Sequence, residues 1–262
     1  MSPNTVALEI VCLKVWWKWL QDEEILDRPL RVNGVQKAVE NRISGEPFAS
    51  GDLKLIYSTI KDWVKGDTSK PNFAGKSISE YNKHLFLLFI RLLDESGARQ
   101  HEMWNRTWKD ISIGETRSDR KRIINTVKIP QKAKKGARST VFRGESLVLI
   151  KELQVKYCKS FSKDDFVFRS QQTNTLLDIS TFSRYWNMIK DAAGVDYKLH
   201  TFRSHRITQL ILGGVGPQLV ARNLGLSTSQ IEKTYLRFVP AGHYNKLVQN
   251  ELPDDKELKR LM

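Results

Sequence analysis

Across residues 116–143 the chain abandons the three-to-four-residue apolar spacing that governs it on both sides, and this single change of period limits the folds open to it. Before it, Leu53, Ile56, Ile60 and Trp63 fall on one helical face, and Leu85, Leu88, Phe89 and Leu92 form the stripe of a second helix. Ser79 is placed to cap that helix and Ser96-Gly97 to close it, after which Gln100–Trp108 restarts helically. Within the window, Ile123, Ile124, Val127 and Ile129, then a Lys134-Lys135-Gly136 turn, then Ser139–Phe142 read as a β-hairpin. Helical pattern returns over 145–158, 180–193 and 201–212, with Phe166-Val167-Phe168 as a short candidate strand between the first two. Pro217 suits a first helical turn, and Ser227-Thr228-Ser229-Gln230 reads as a capping box for the helix carrying Tyr235. The expected fold is mainly α with a small antiparallel β-sheet.

The N-terminal stretch 8–20 is apolar nearly all round, so it calls for cover larger than its immediate neighbours. Residues 21–49 are polar and hold Pro29, Gly34, Gly45 and Pro47, the composition of a connector. The expected organisation is a terminal helix and connector of a shortened unit over 1–45, a main domain over 46–240 and a tail over 241–262.

Charge narrows the partner. Lys and Arg number 43 against 29 Asp and Glu, a net +14 that favours a polyanion. The excess is concentrated: from Thr116 to Arg143 there are ten basic residues and one acid, Asp119. Arg117, Arg120, Lys121, Arg122, Lys128, Lys132, Lys135 and Arg138 are therefore candidate DNA contacts, since a merely solvated face would mix signs. No apolar run approaches the roughly 20 residues of a bilayer span. Only Cys12 and Cys158 are available for disulfides, which points to a reducing, cytoplasmic setting in a bacterium or phage-infected host. There is no Walker-type loop and no His or Cys cluster at zinc spacing, so neither cofactor nor metal is expected.

Three ordered segments carry chemistry: Ser96-Gly97-Ala98-Arg99-Gln100-His101-Glu102, His200-Thr201-Phe202-Arg203, and Leu224-Gly225-Leu226-Ser227 leading to Tyr235. Over roughly residues 46–240 the set resembles the tyrosine recombinases, the family of phage integrases and chromosome-dimer resolvases. The resemblance implies that the chain cuts and rejoins DNA through a 3′-phosphotyrosine, without metal or ATP. It implies Tyr235 as nucleophile, Arg99 and Arg203 on the phosphate, His200 on the phosphate or the tyrosine proton, and Glu102 in support. A lysine in the hairpin turn protonates the leaving 5′ oxygen in that family; Lys134 fits best, with Lys132 and Lys135 as alternatives. By analogy the protein acts as a tetramer on two double-stranded sites, with accessory DNA-bending or directionality proteins, the tail docking on a neighbouring protomer. The divergent boxes suit a mobile element or phage better than a housekeeping resolvase.

The residues support that chemistry independently. A phenol with a pKa near 10 costs about 4 kcal/mol to ionise at pH 7 unless positive charge stands beside it, and two arginines supply such charge. Taken singly, each residue has a plainer role: Tyr235 in packing, Arg99 in a helix-start ion pair, His200 in a cap. One position departs from the family. Nine residues before the tyrosine the family has a His or Trp donor, and here stands Leu226. Losing that bond removes about 1.5–3 kcal/mol of transition-state stabilisation, a roughly 10- to 150-fold slower reaction, unless His205 or Ser227 replaces it. The alternative expectation is a non-catalytic DNA-binding regulator on the same fold.

Overall fold

The computed structural model describes residues 3–30, 46–66, 78–115, 123–130 and 137–235. Contacts divide the chain into two units, 1–44 and 45–262. In the first, α1 (Pro3–Asp22) is followed by a turn held by Trp17 Nε1 donating to the Arg28 carbonyl at 2.7 Å. Within this unit its apolar girdle is left open, with Val15 67% and Trp16 56% exposed.

In the second unit, α2 (Asp52–Val64) buries Ile56, Ile60 and Trp63. The central helix is α3 (Glu80–Ser96), with Leu85, Phe86, Phe89 and Ile90 all fully buried. Its ends follow the expectation: Ser79 Oγ accepts from Asn82 N at 3.3 Å, and Gly97 closes the helix at φ 63°, a left-handed turn that glycine adopts without strain. The helix after it is shorter than its pattern suggests: α4 (Gln100–Trp104) ends at Asn105, and a 3₁₀ turn (Trp108–Asp110) leads into the sheet.

That sheet has three antiparallel strands in the order β1 (Ile111–Glu115), β2 (Ile123–Ile129), β3 (Arg138–Arg143). The β2–β3 hairpin is the expected one, with Val127 opposite Thr140. Strand β1 was not expected, because five residues with one alternation are too few to stand out from a loop; pairing of Ile111 with Val127 makes it a strand. Helix α5 (Ser146–Tyr157) lacks a cap of its own and borrows one: the Glu95 carboxylate accepts from Ser146 N at 3.2 Å and Ser146 Oγ at 2.6 Å. The apolar trio at 166–168 forms no strand. It makes an isolated bridge from Phe166 to Thr107 and buries Val167 and Phe168.

Helices α6 (Ile179–Ala193), α7 (Thr201–Leu212), α8 (Pro217–Leu224) and α9 (Thr228–Thr234) complete the described unit. Ser227 Oγ caps α9 by accepting from Gln230 N at 3.1 Å, half of the expected capping box, and Tyr235 sits at the C-cap rather than within the helix. The main core is aromatic: Trp104 stacks on Phe168 at 4.9 Å, and Phe182 meets Trp104 edge-on at 4.9 Å. A smaller core of Ile207, Val220, Ala221, Leu224, Ile231 and Tyr235 ties α7, α8 and α9 together. Among the described residues no helix is long and apolar enough to cross a membrane.

Candidate active site

Four chain segments that are distant in sequence converge where α3 ends. Gly97 turns the chain so that Arg99 becomes the N-cap of α4 and Glu102 its third residue, which brings the two side chains together. Glu102 Oε1 accepts from Arg99 Nη1 at 2.9 Å, and Oε2 accepts from the Arg99 backbone N–H at 3.1 Å. From β3, Arg138 places Nη2 2.7 Å from the same Oε2. Glu102 and Arg138 have side chains only 9% exposed, whereas Arg99 keeps 29%. Burial alone would raise the Glu102 pKa. The ion pair with Arg138 and the bonds from Arg99 outweigh it and hold the carboxyl below its ordinary value, so Glu102 is ionised at neutral pH.

Arg203 enters from the first turn of α7 and is 1% exposed. Its Nη1 donates to the Gly97 carbonyl at 2.9 Å and Nη2 to the Leu224 carbonyl at 2.7 Å, the acceptors that the ends of α3 and α8 leave unmet. Burial, then the nearby positive Arg99, lowers its pKa to about 10, against the pull of Glu102 and Tyr235. It remains charged at pH 7. His200 precedes it at the N-cap of α7, making no side-chain cap bond and set in the wall of a cleft that opens to solvent. Desolvation, then the guanidinium groups of Arg203 and Arg99, press its pKa below the ordinary imidazole value, so its neutral form prevails at pH 7.

Tyr235 is 3% exposed, its ring packed in the small core and its side chain within electrostatic reach of Arg203. Leu226 packs against the same core, and its backbone N–H bonds Ala221 O at 2.9 Å. The two candidate replacement donors differ in their surroundings. Ser227 Oγ is engaged in capping α9, and the His205 ring lies 5.4 Å from Phe48 with Nδ1 buried and unpartnered among the described residues.

Arg99, Arg203, Glu102 and Tyr235 are thus brought together with Arg138, and His200 joins Arg99 in lining a cleft of about 540 Å³. Lys190 and Lys198 also line this cleft. The sequence reading missed both; Lys198, two positions before His200, was the available signal. Of the candidate DNA contacts, Lys128 is exposed on β2. Arg117, Arg120, Lys121, Arg122, Lys132, Lys134 and Lys135 lie outside the described residues, as does the tail 241–262. Among the described residues no group of three or more His, Cys, Asp or Glu could hold a metal ion.

The sequence model of the phage integrase family matches residues 72–240. No curated protein sequence matches the chain. Among solved structures, the XerH site-specific recombinase bound to its difH substrate is similar at a TM-score of 0.55 and 17% identity, over 78% of this chain and 52% of that one. The chain therefore spans about half the length of that recombinase. The Tn1549 transposon integrase, in complex with transposon right-end DNA, is similar at a TM-score of 0.58 and 16% identity, over 90% of this chain and 75% of that one. At such identities the likeness is one of fold.

Proposed function

This chain belongs to the phage integrase family, and from that premise we propose that it is a site-specific DNA recombinase that breaks and rejoins strands through Tyr235. The observation that carries the reading is a charge imbalance. Three guanidinium groups, Arg99, Arg138 and Arg203, crowd around one carboxylate, Glu102, beside a tyrosine. Two positive charges are left over in a largely desolvated place, the condition for receiving an anion beside the tyrosine. The related folds that hold a difH substrate and a transposon end make double-stranded DNA the natural source of that anion.

In the proposed reaction a non-bridging oxygen pair of the scissile phosphate is held by Arg99 and Arg203. The Tyr235 oxygen attacks phosphorus as the bond to the 5′ oxygen breaks, leaving a 3′-phosphotyrosine and a 5′ hydroxyl. The neutral His200 accepts the phenol proton, for which its lowered pKa leaves a free ring nitrogen at pH 7. Lys134 supplies a proton to the leaving oxygen. Attack of a 5′ hydroxyl from another strand reverses these steps and reseals the DNA. Strand exchange by a tetramer on two sites, with accessory proteins, is the assembly that the family resemblance implies.

Incubation of the full chain with nicked, labelled duplexes of randomised sequence, followed by denaturation, tests this directly. A DNA-linked protein band that disappears in Tyr235→Phe is expected, and sequencing the captured DNA would reveal the preferred site. Absence of a band with wild type would leave the second reading, a DNA-binding regulator, which Leu226 in place of a donor favours. Leu226→His separates the two, since it should raise adduct formation by roughly 10- to 150-fold in a working but slow enzyme.

A further inference from the structure

We propose that Arg138 is a positioning residue that holds Glu102 away from full pairing with Arg99 and so keeps Arg99 available to DNA phosphate. The proposal rests on the strand-transfer reading above in taking the cleft at Arg99 as the place of the phosphate.

One carboxylate here has two cationic claimants. Glu102 and Arg99 are three residues apart on one helical turn, and alone they would close into a neutral, two-pronged ion pair, the geometry that guanidinium and carboxylate favour. In the structure Arg99 gives Glu102 a single side-chain bond, from Nη1, while Oε2 is taken by Arg138 at 2.7 Å together with the Arg99 backbone N–H at 3.1 Å. The three groups together carry one net positive charge, and the partly exposed partner is Arg99, on the cleft wall that includes His200.

Arg138 itself is badly placed to touch DNA. Its side chain is 9% exposed, and its guanidinium nitrogens are shut away from solvent, with Nε, Nη1 and Nη2 all lacking a hydrogen-bond partner among the described residues, so that Nη2 meets Glu102 as an ion pair. What holds it is Glu102 on one side and Gly225 on the other. A Cβ on Gly225 would fall 2.7 Å from Arg138 Cζ and 2.8 Å from Nη1, so the guanidinium lies flat against the bare glycine that ends α8. A buried cation with unmet donors is costly, and Glu102 is the only acid it meets among the described residues. The arrangement also lets β3 and the α8 terminus bear on Arg99 without touching the substrate.

The test is the salt dependence of binding to a duplex of about 30 base pairs and fixed sequence, where each phosphate contact contributes roughly 0.9 to the slope of log K against log salt. Arg138→Gln is expected to flatten the slope by about 1, as Arg99→Gln does. Adding Glu102→Gln to Arg138→Gln frees Arg99 again and restores the wild-type slope. Adding Glu152→Gln, which changes net charge equally from an exposed position on α5, does not. Gly225→Ala keeps Arg138 but displaces it, and is expected to reproduce the flattened slope if Arg138→Gln fails to fold. A wild-type slope in Arg138→Gln and in Gly225→Ala overturns the proposal. So does a slope that stays flat in the Arg138→Gln, Glu102→Gln double variant, because Arg138 would then touch phosphate itself. Binding needs no cleavage, so a wild type that binds but forms no adduct sinks the strand-transfer reading and leaves this test standing.

Discussion

Arg99 and Arg203 carry the same charge beside the same carboxylate, yet their surroundings ask different things of them. Arg203 satisfies two buried carbonyls, so its removal leaves Gly97 O and Leu224 O without a donor among the described residues. Arg203→Gln is expected to destabilise the fold by about 2–4 kcal/mol in urea unfolding as well as abolish adduct formation. Arg99→Gln, at a partly exposed ion pair, should cost under about 1 kcal/mol while abolishing adduct formation just as fully. The histidines add a pH signature. His200 and His205 both have folded pKa values below the unfolded 6.5, so the unfolded chain binds more protons once pH falls to that value. Their contribution is complete above pH 6.5 and declines below it. Chemical denaturation between pH 8 and 5 should show this loss, and it should shrink in His205→Phe; a midpoint independent of pH would contradict the assignment.

At the scale of elements, the sheet and the tyrosine-bearing segment are clasped by one side chain. Asn223, in the last turn of α8, accepts from Val141 N at 2.7 Å and donates to Val141 O at 2.9 Å, acting toward the edge of β3 as another strand would. Thr140 Oγ1 adds a bond to the Asn223 carbonyl at 3.1 Å. Asn223→Ala should therefore cost about 1–2 kcal/mol and speed hydrogen exchange at the Val141 amide. If that amide exchanges as in wild type, the clasp does not hold in solution. The turn at the end of α3 is equally specific. Gly97→Ala would force a side chain into a left-handed conformation and 2.9 Å from Arg206 Cγ. A loss of about 1–3 kcal/mol is expected by urea unfolding, larger than for an exposed helix-ending glycine because the clash adds to the backbone strain.

For the whole molecule, a net charge of +14, with Lys128 and Arg143 exposed on the hairpin, makes the proposed binding to DNA a counterion-release process. The wild-type slope of log K against log salt on any duplex should lie between about −5 and −9; a slope near zero would remove nucleic acid as the partner. Much of the fold and site was legible in the sequence. The helical stripes, the caps at Ser79, Gly97 and Ser227, and the hairpin pairing 123–129 with 138–143 are set by local periodicity and turn chemistry, which a linear string records. So was the order Arg99, His200, Arg203, Tyr235, because residue type and spacing survive in sequence. What the string could not hold was every decision made by distant partners. Strand β1 exists because β2 offers it an edge, and α5 starts where it does because Glu95, 51 residues earlier, caps it. The same holds at the site. By sequence Arg138 is one more cation in a basic run, and only the approach of β3 to α4 and to a bare Gly225 puts it against Glu102. Local sequence thus determined the elements and the chemical inventory of this protein. Tertiary structure alone decided which charges are shared, which are buried and which remain for an anion, because desolvation and pairing depend on neighbours that the chain brings together only when folded.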